Sequence, residues 1–143
     1  MVLAPLAGYT DLPFRSVVKK FGADLTVSEM ISSNALVYNS QRTYKMLEKS
    51  PIENPYSVQI AGNNKNVIKD AVNILNDFDF IDIIDLNCGC PATKIVNHGS
   101  GSSLLKDLNL LKELLSTIKD NSKKKYISAK IRIGYDKKNP VEI

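Results

Sequence analysis

Tryptophan is absent from this 143-residue chain, histidine occurs once (His98) and cysteine twice (Cys88 and Cys90). So few soft ligands do not make a tetrahedral zinc site, and the reading is no metal. A Cys-x-Cys pair is not a disulfide framework either, because such close neighbours rarely reach disulfide geometry without backbone strain. No apolar run is long enough to cross a bilayer, and the first residues lack the layout of a signal peptide. The expected setting is cytoplasmic, with no membrane partner. Low-complexity tracts and interdomain linkers are also missing, so residues 1–143 read as part of one domain.

What is present is ordinary for a soluble globular protein: 43% hydrophobic and 24% charged residues. The length is enough for a reasonable core. A net charge of +4 points mildly to a polyanionic partner. Much of the excess sits in Lys123-Lys124-Lys125 and Lys137-Lys138. These read as solvated loop charges, so charge alone does not name nucleic acid.

Apolar periodicity divides the chain into alternating strands and helices. Val2 to Ala4 is a short apolar run ending at Pro5. Asp11 caps a helix with Pro13 in its first turn, Phe14, Val17, Val18 and Phe21 on its apolar side, and Arg15, Lys19 and Lys20 on its wet side. Gly22 stops it. Leu25 to Val27 is a second strand, followed by a helix around Ser33 to Tyr38 and a loop bracketed by Pro51 and Pro55. Tyr56 to Ile60 is a third strand. Asn63 caps a helix with Val67, Ile68, Ala71, Val72, Ile74 and Leu75 on its buried side. Ile81 to Asn87 is a fourth strand. Asp107 caps a helix burying Leu110, Leu111, Leu114, Leu115 and Ile118, and Tyr126 to Ile133 is a fifth strand.

Such alternation implies right-handed βαβ units and a parallel sheet. A complete (β/α)8 barrel takes about 250 residues, so the expected fold is α/β, a partial TIM-type barrel of about five βα units. Its first and fifth strands would be unpaired edges. Asn139 to Ile143 carry no closing or capping signal.

Side chains alternate across a strand, so each strand has two faces. Ser57, Gln59 and Ala61 oppose Val58 and Ile60; Ile81, Ile83, Asp85 and Asn87 share a face; Ser128, Lys130 and Arg132 oppose Ile127, Ala129, Ile131 and Ile133. The polar faces look into the barrel, where branched apolar residues are the norm. Inward Lys130 and Arg132 are costly unless an anion or carboxylate neutralises them. Asp85 is one candidate partner; a polar ligand met by Gln59 and Lys130 is the other, and it accounts for all three strands.

The densest block is Asp85-Leu86-Asn87-Cys88-Gly89-Cys90-Pro91, which holds both cysteines at the end of a buried strand. Parallel α/β folds place their chemistry at such strand ends. His98 reads as a loop residue. Gly99-Ser100-Gly101-Ser102-Ser103 lacks the Gly-Lys-Ser/Thr ending of a phosphate loop and reads as a helix start.

Six blocks in order resemble the tRNA-dihydrouridine synthases across essentially the whole chain. They are Ala4-Pro5-Leu6-Ala7-Gly8-Tyr9-Thr10-Asp11, Ser28-Glu29-Met30, Val58-Gln59-Ile60-Ala61-Gly62, Asp85 to Pro91 with Lys94, Gly99-Ser100-Gly101-Ser102, and Lys130-Ile131-Arg132-Ile133-Gly134. The resemblance implies the N-terminal part of an FMN-binding (β/α)8 barrel, with later barrel strands and a helical tRNA-contacting domain beyond it. It implies reduction of tRNA uridine to 5,6-dihydrouridine with FMN and NADPH, by an enzyme that is a monomer when full length. By motif position, Pro5, Leu6 and Ala7 match the turn along the flavin, and Gln59 and Lys130 match its hydrogen-bonding partners. Cys90 matches the catalytic acid and Asn87 the asparagine beside the target base; Lys94 and Arg132 are further substrate-binding candidates. A free thiol, with an ordinary pKa of about 8.5, is mostly protonated at neutral pH where a carboxylic acid is ionised, so cysteine suits the acid role. Cys88 departs from the family pattern, which often has methionine there, and reads as a packing substitution. The alternatives are an inert fragment of such an enzyme, and a related flavin barrel acting on free pyrimidines.

Overall fold

The computed structural model describes residues 1–136; Lys137-Lys138 and the stretch from Asn139 to Ile143 lie outside the described residues. Strands β1 (Val2–Leu3), β2 (Leu25–Val27), β4 (Tyr56–Ala61), β5 (Ile83–Cys88) and β6 (Tyr126–Ile131) lie side by side in that order, all parallel. A two-residue strand β3 (Ile31–Ser32), not expected from the sequence, prolongs the β2 side by pairing with the end of β4. Spatial order equal to chain order, without a reversal, is the winding of a (β/α)8 barrel rather than of a doubly wound sheet. The chain forms a partial TIM barrel of five main strands, with β1 and β6 at its edges.

Helices α1 (Leu12–Lys20), α2 (Ser33–Val37), α3 (Gln41–Lys45), α4 (Lys65–Asn76), α5 (Thr93–Asn97) and α6 (Leu108–Asn121) fill the connections, with a 3₁₀ turn at Gly101–Lys106 before α6. None is long and apolar enough to cross a membrane. Asp11 caps α1 by accepting from the Phe14 N–H, and Asp107 caps α6 by accepting from Leu110, as expected. The cap of α4 is Asn64 rather than Asn63: its side chain accepts from Asn66 and Val67. Asn63 is committed elsewhere, as described below.

The core lies between the sheet and α4 and α6. Tyr56, Val58 and Ile60 of β4 and Ile84, Leu86 and Cys88 of β5 meet Ile68, Ala71, Val72 and Leu75 of α4 and Leu111, Leu114 and Ile118 of α6. Each large apolar side chain fully buried here contributes roughly 1.5–3 kcal/mol. The strand boundaries shift by two residues at two ends, where β5 starts at Ile83 instead of Ile81 and β6 stops at Ile131 instead of Ile133, and β4 and β5 each run one residue further than expected, to Ala61 and Cys88.

The first helix reverses its expected amphipathicity. Arg15 is 2% exposed, while Phe14, Val17 and Phe21 are 45%, 53% and 82% exposed. Lys19 is tied down as well, its ammonium donating to the carbonyls of Asp24 and Asn54. The reason lies in what the adjoining loops present to Arg15. Its Nε donates to Glu53 Oε1 (2.8 Å), Nη1 to the Thr10 carbonyl (2.9 Å) and Nη2 to the Glu48 carbonyl (2.7 Å). Its guanidinium also sits 5.1 Å from the centre of the Tyr56 ring. A planar, always-charged fork can satisfy three acceptors and an aromatic face at once, which offsets the cost of burial.

Candidate active site

The strand periodicity of β5 sorts its residues between two environments. Ile84, Leu86 and Cys88 go to the helix-packed core, and Asp85 and Asn87 to the opposite face. On that face Gln59, Asp85 and Ser128 stand in register on three adjacent strands. Gln59 Nε2 donates to Asp85 Oδ2 and the Ser128 hydroxyl donates to Asp85 Oδ1, both at 2.6 Å. One row nearer the strand ends, Asn87 Nδ2 donates to Gln59 Oε1 at 2.8 Å. Asp85 is thus satisfied by hydrogen bonds while keeping its charge, and it makes no ion pair with Lys130 or Arg132.

Lys130 is the β6 partner of Asn87. It is exposed, and among the described residues no carboxylate lies within ion-pair distance of it. Gln59, by contrast, is wholly buried and already makes two side-chain bonds. Only its second Nε2–H and one remaining lone pair are uncommitted.

Asn87 also shapes the chain after the strand. Its Oδ1 accepts from the backbone N–H groups of Gly89 (3.3 Å) and Cys90 (3.0 Å), closing an Asx-type turn at the strand exit. The Cys90 carbonyl in turn accepts from Ser102 N at 3.0 Å. Gly101, at φ +63°, makes that closure possible: a Cβ there would lie 2.7 Å from the Cys90 carbonyl oxygen and 3.2 Å from Cys90 Cβ. The glycine-serine stretch therefore does begin a helical turn, and it also seats the Cys90 loop. Glycine spacing gave no sign of that second task, which depends on two segments eleven residues apart meeting in space.

The two cysteines part company. Cys88 is fully buried among core side chains, and burial, aided by the Asp85 charge, pushes its thiol up to about 12. It is a packing residue. Cys90 is half-buried on the loop.

Pro5, Leu6 and Ala7 lie in the loop leaving β1, at the same end of the sheet. The Thr10 hydroxyl accepts from Leu6 N at 3.0 Å and donates to the Leu6 carbonyl, and Gly8 N donates to Glu29 Oε1. Arg15 fixes the same loop through the Thr10 carbonyl. Leu6 and Tyr9 remain 57% and 66% exposed.

Lys94 and Arg132 fall on different sides of the Cys90 loop. The Arg132 stem passes over Gly89, 3.3 Å from where a Cβ would be, and lines a shallow hollow with Pro91 and Tyr135. Lys94, on α5, lines a separate cleft with Met30 and Asn63. Sequence reasoning thus found residues that meet (Gln59, Asn87, Cys90, Lys130) and two that flank them. It missed the supports Thr10, Arg15, Glu53 and Gly101. Among the described residues no three His, Cys, Asp or Glu side chains converge as metal ligands would.

Over 143 residues, its whole length and 44% of the relative, the chain is 59% identical to a probable tRNA-dihydrouridine synthase of Helicobacter pylori. It is 38% identical over 139 residues, 97% of the chain and 41% of the relative, to tRNA-dihydrouridine synthase B of Pseudomonas syringae pv. tomato. A probable tRNA-dihydrouridine synthase of Rickettsia conorii is 41% identical over 140 residues, with 95% and 41% covered. The chain therefore spans less than half the length of these relatives. Residues 2–143 match the family model of the dihydrouridine synthases, and the chain belongs to that family.

Proposed function

We propose that this chain is the N-terminal part of the catalytic barrel of an FMN-dependent enzyme that reduces uridine in tRNA to 5,6-dihydrouridine, with NADPH as reductant. The observation that carries the reading is the turn placing Cys90 two bonds of the network away from Gln59, with Asn87 hydrogen-bonded to both.

The residues present fit a flavin. An exposed cation with no carboxylate partner among the described residues, Lys130, stands beside Asn87, and an apolar loop held from below by Thr10 and Arg15 stands at the other edge. Lys130, Gln59 and the Pro5-Leu6-Ala7 turn would hold FMN, whose reduced form supplies the hydride for C6 of uracil. Lys130 would offer positive charge to a ring system that becomes more electron-rich on reduction.

When hydride arrives at C6, negative charge develops at C5 and O4. Cys90 would deliver the proton to C5 from the opposite face, leaving a thiolate that solvent reprotonates. Asn87 holds the backbone of that loop and retains one Nδ2–H to orient the base. Lys94 and Arg132, on either side, would meet phosphates of an RNA whose uridine has swung out of the stack. The protein would work in the cytoplasm, as a monomer in its full-length form.

The test uses this chain joined to the matching remainder of the Helicobacter pylori relative. Cys90→Ala should retain the flavin spectrum and lose turnover on tRNA. Undiminished dihydrouridine formation by that variant would reject the acid role. Oxidation of the reduced flavin by free uracil or orotate faster than by tRNA would reject the RNA substrate.

A further inference from the structure

Beside the Cys90 loop, but not part of the Gln59–Lys130 face, lies a cleft of about 610 Å³ between the start of α2, the end of β4 and α5. Neither Gln59, Asn87 nor Lys130 lines it. Its volume is in the range of small-molecule sites, about 300–1,000 Å³. Met30 and Ile95 supply apolar walls, Asn34 and Asn63 amides, and Lys94 a cation at the rim. That combination suits a base, its hydrogen-bonding edge and a phosphate, in that order.

The cleft is held in shape by contacts not needed for the proposed reaction. Asn63 Nδ2 donates to the His98 carbonyl at 2.8 Å, joining the β4 exit to the end of α5. Gly99, at φ +74°, passes so close that a Cβ would lie 2.5 Å from Asn63 Nδ2. On the other wall, Gly62 presses against Ser33: a Cβ at Gly62 would lie 2.2 Å from Ser33 Oγ. That hydroxyl is buried and has no hydrogen-bond partner. The bond to the His98 carbonyl holds the Asn63 side chain away from α4, which Asn64 caps.

Its position relative to the thiol is also fixed. Ile95, which walls the cleft, and Cys90 pack against the same glycine: the site of a Cβ on Gly101 is 2.8 Å from Ile95 Cγ2 and 3.2 Å from Cys90 Cβ. Gly101 thus lies against both Ile95 and Cys90. Enzymes that act on an extruded base commonly grip the nucleotides flanking it.

We propose that this cleft is a second nucleotide pocket, seating a ribonucleotide that neighbours the target uridine in the RNA. The RNA context rests on the function proposed above; the binding of a nucleotide does not. Lys94 takes the phosphate and Asn34 and Asn63 read the base edge.

The test is a ¹⁵N-HSQC titration of the chain with AMP, GMP, CMP and UMP, with the corresponding nucleosides and inorganic phosphate as separate arms. At least one nucleotide should give saturable shifts at the amides of Asn34, Gly62, Asn63 and Ile95. Lys94→Ala, a change at an exposed residue, should weaken that nucleotide about tenfold while leaving its nucleoside unchanged. Asn34→Trp should fill the cleft and abolish both, with the dispersion of the core resonances retained. No saturable shift with any nucleotide would overturn the proposal. Equal shifts with inorganic phosphate alone would also overturn it, by making the site a simple anion site. If the joined enzyme fails to reduce tRNA while these shifts persist, the reaction assignment falls and the pocket stands. The reverse pattern removes the pocket alone.

Discussion

Arg15 and Val17 offer the sharpest trial of the packing described for α1, because helix periodicity and tertiary structure rank them oppositely. Arg15→Ala removes one partner of an ion pair whose members are 2% and 0% exposed. Glu53 keeps its bond from Ser50 N but loses its counter-charge, and the Thr10 and Glu48 carbonyls lose their donors. Breaking a buried pair from one side costs about 3–5 kcal/mol, a large part of the 5–15 kcal/mol typical of a domain. With a urea dependence of about 2 kcal/mol per molar, the unfolding midpoint followed by circular dichroism should fall by about 2 M. Arg15→Lys should not restore it, since an ammonium cannot span three acceptors in the plane of the guanidinium. Val17→Asp, on the exposed face, should stay within about 0.5 kcal/mol of the parent. A midpoint for Arg15→Ala within about 0.3 M of the parent, or a larger loss for Val17→Asp, would refute this packing of α1.

Other consequences follow from the Cys90 loop and its neighbours. Iodoacetamide at pH 8 should label Cys90 in the native chain and Cys88 only after unfolding, as read by peptide mass; native labelling of both would contradict the burial of Cys88. Because burial raises the Cys88 thiol from 9.0 to about 12, the native state favours its neutral form. Its contribution is complete below pH 9 and is lost as pH rises from about 9 to about 12. Stability of Cys88→Ala should therefore fall less steeply across that window than that of the parent. Gly101→Ala places a methyl against the Cys90 carbonyl at a positive φ, and should cost about 1–3 kcal/mol while displacing the loop. A wild-type rate of Cys90 alkylation in that variant would argue against the coupling.

Much of the framework was legible because it rests on local rules. Asp11 and Asp107 cap their helices where a side-chain oxygen precedes an apolar repeat. The alternation in Tyr56–Ala61 and Ile83–Cys88 separated core from polar face correctly, since strand geometry leaves a side chain no third option. Asn63 and Asn64 show where such rules end. Adjacent residues have equal capping chemistry, and the choice fell to Asn64 because His98, thirty-five positions away, occupies the other amide. Arg15 was misplaced for the same kind of reason: an arginine on an amphipathic helix belongs in water unless distant loops bring it acceptors.

The sequence by itself determined the winding, the polar row of Gln59, Asp85 and Ser128 on one face, and the family of the chain, because periodicity and ordered motifs are properties of neighbours along the backbone. Tertiary structure alone decided that Asp85 is satisfied by an amide and a hydroxyl instead of a cation, that Lys130 meets no acid among the described residues, that the Cys90 thiol sits half-open on its loop, and that Gly101 seats that loop. Each of these depends on which groups from remote segments arrive within about 3 Å, where hydrogen bonding and desolvation set the outcome.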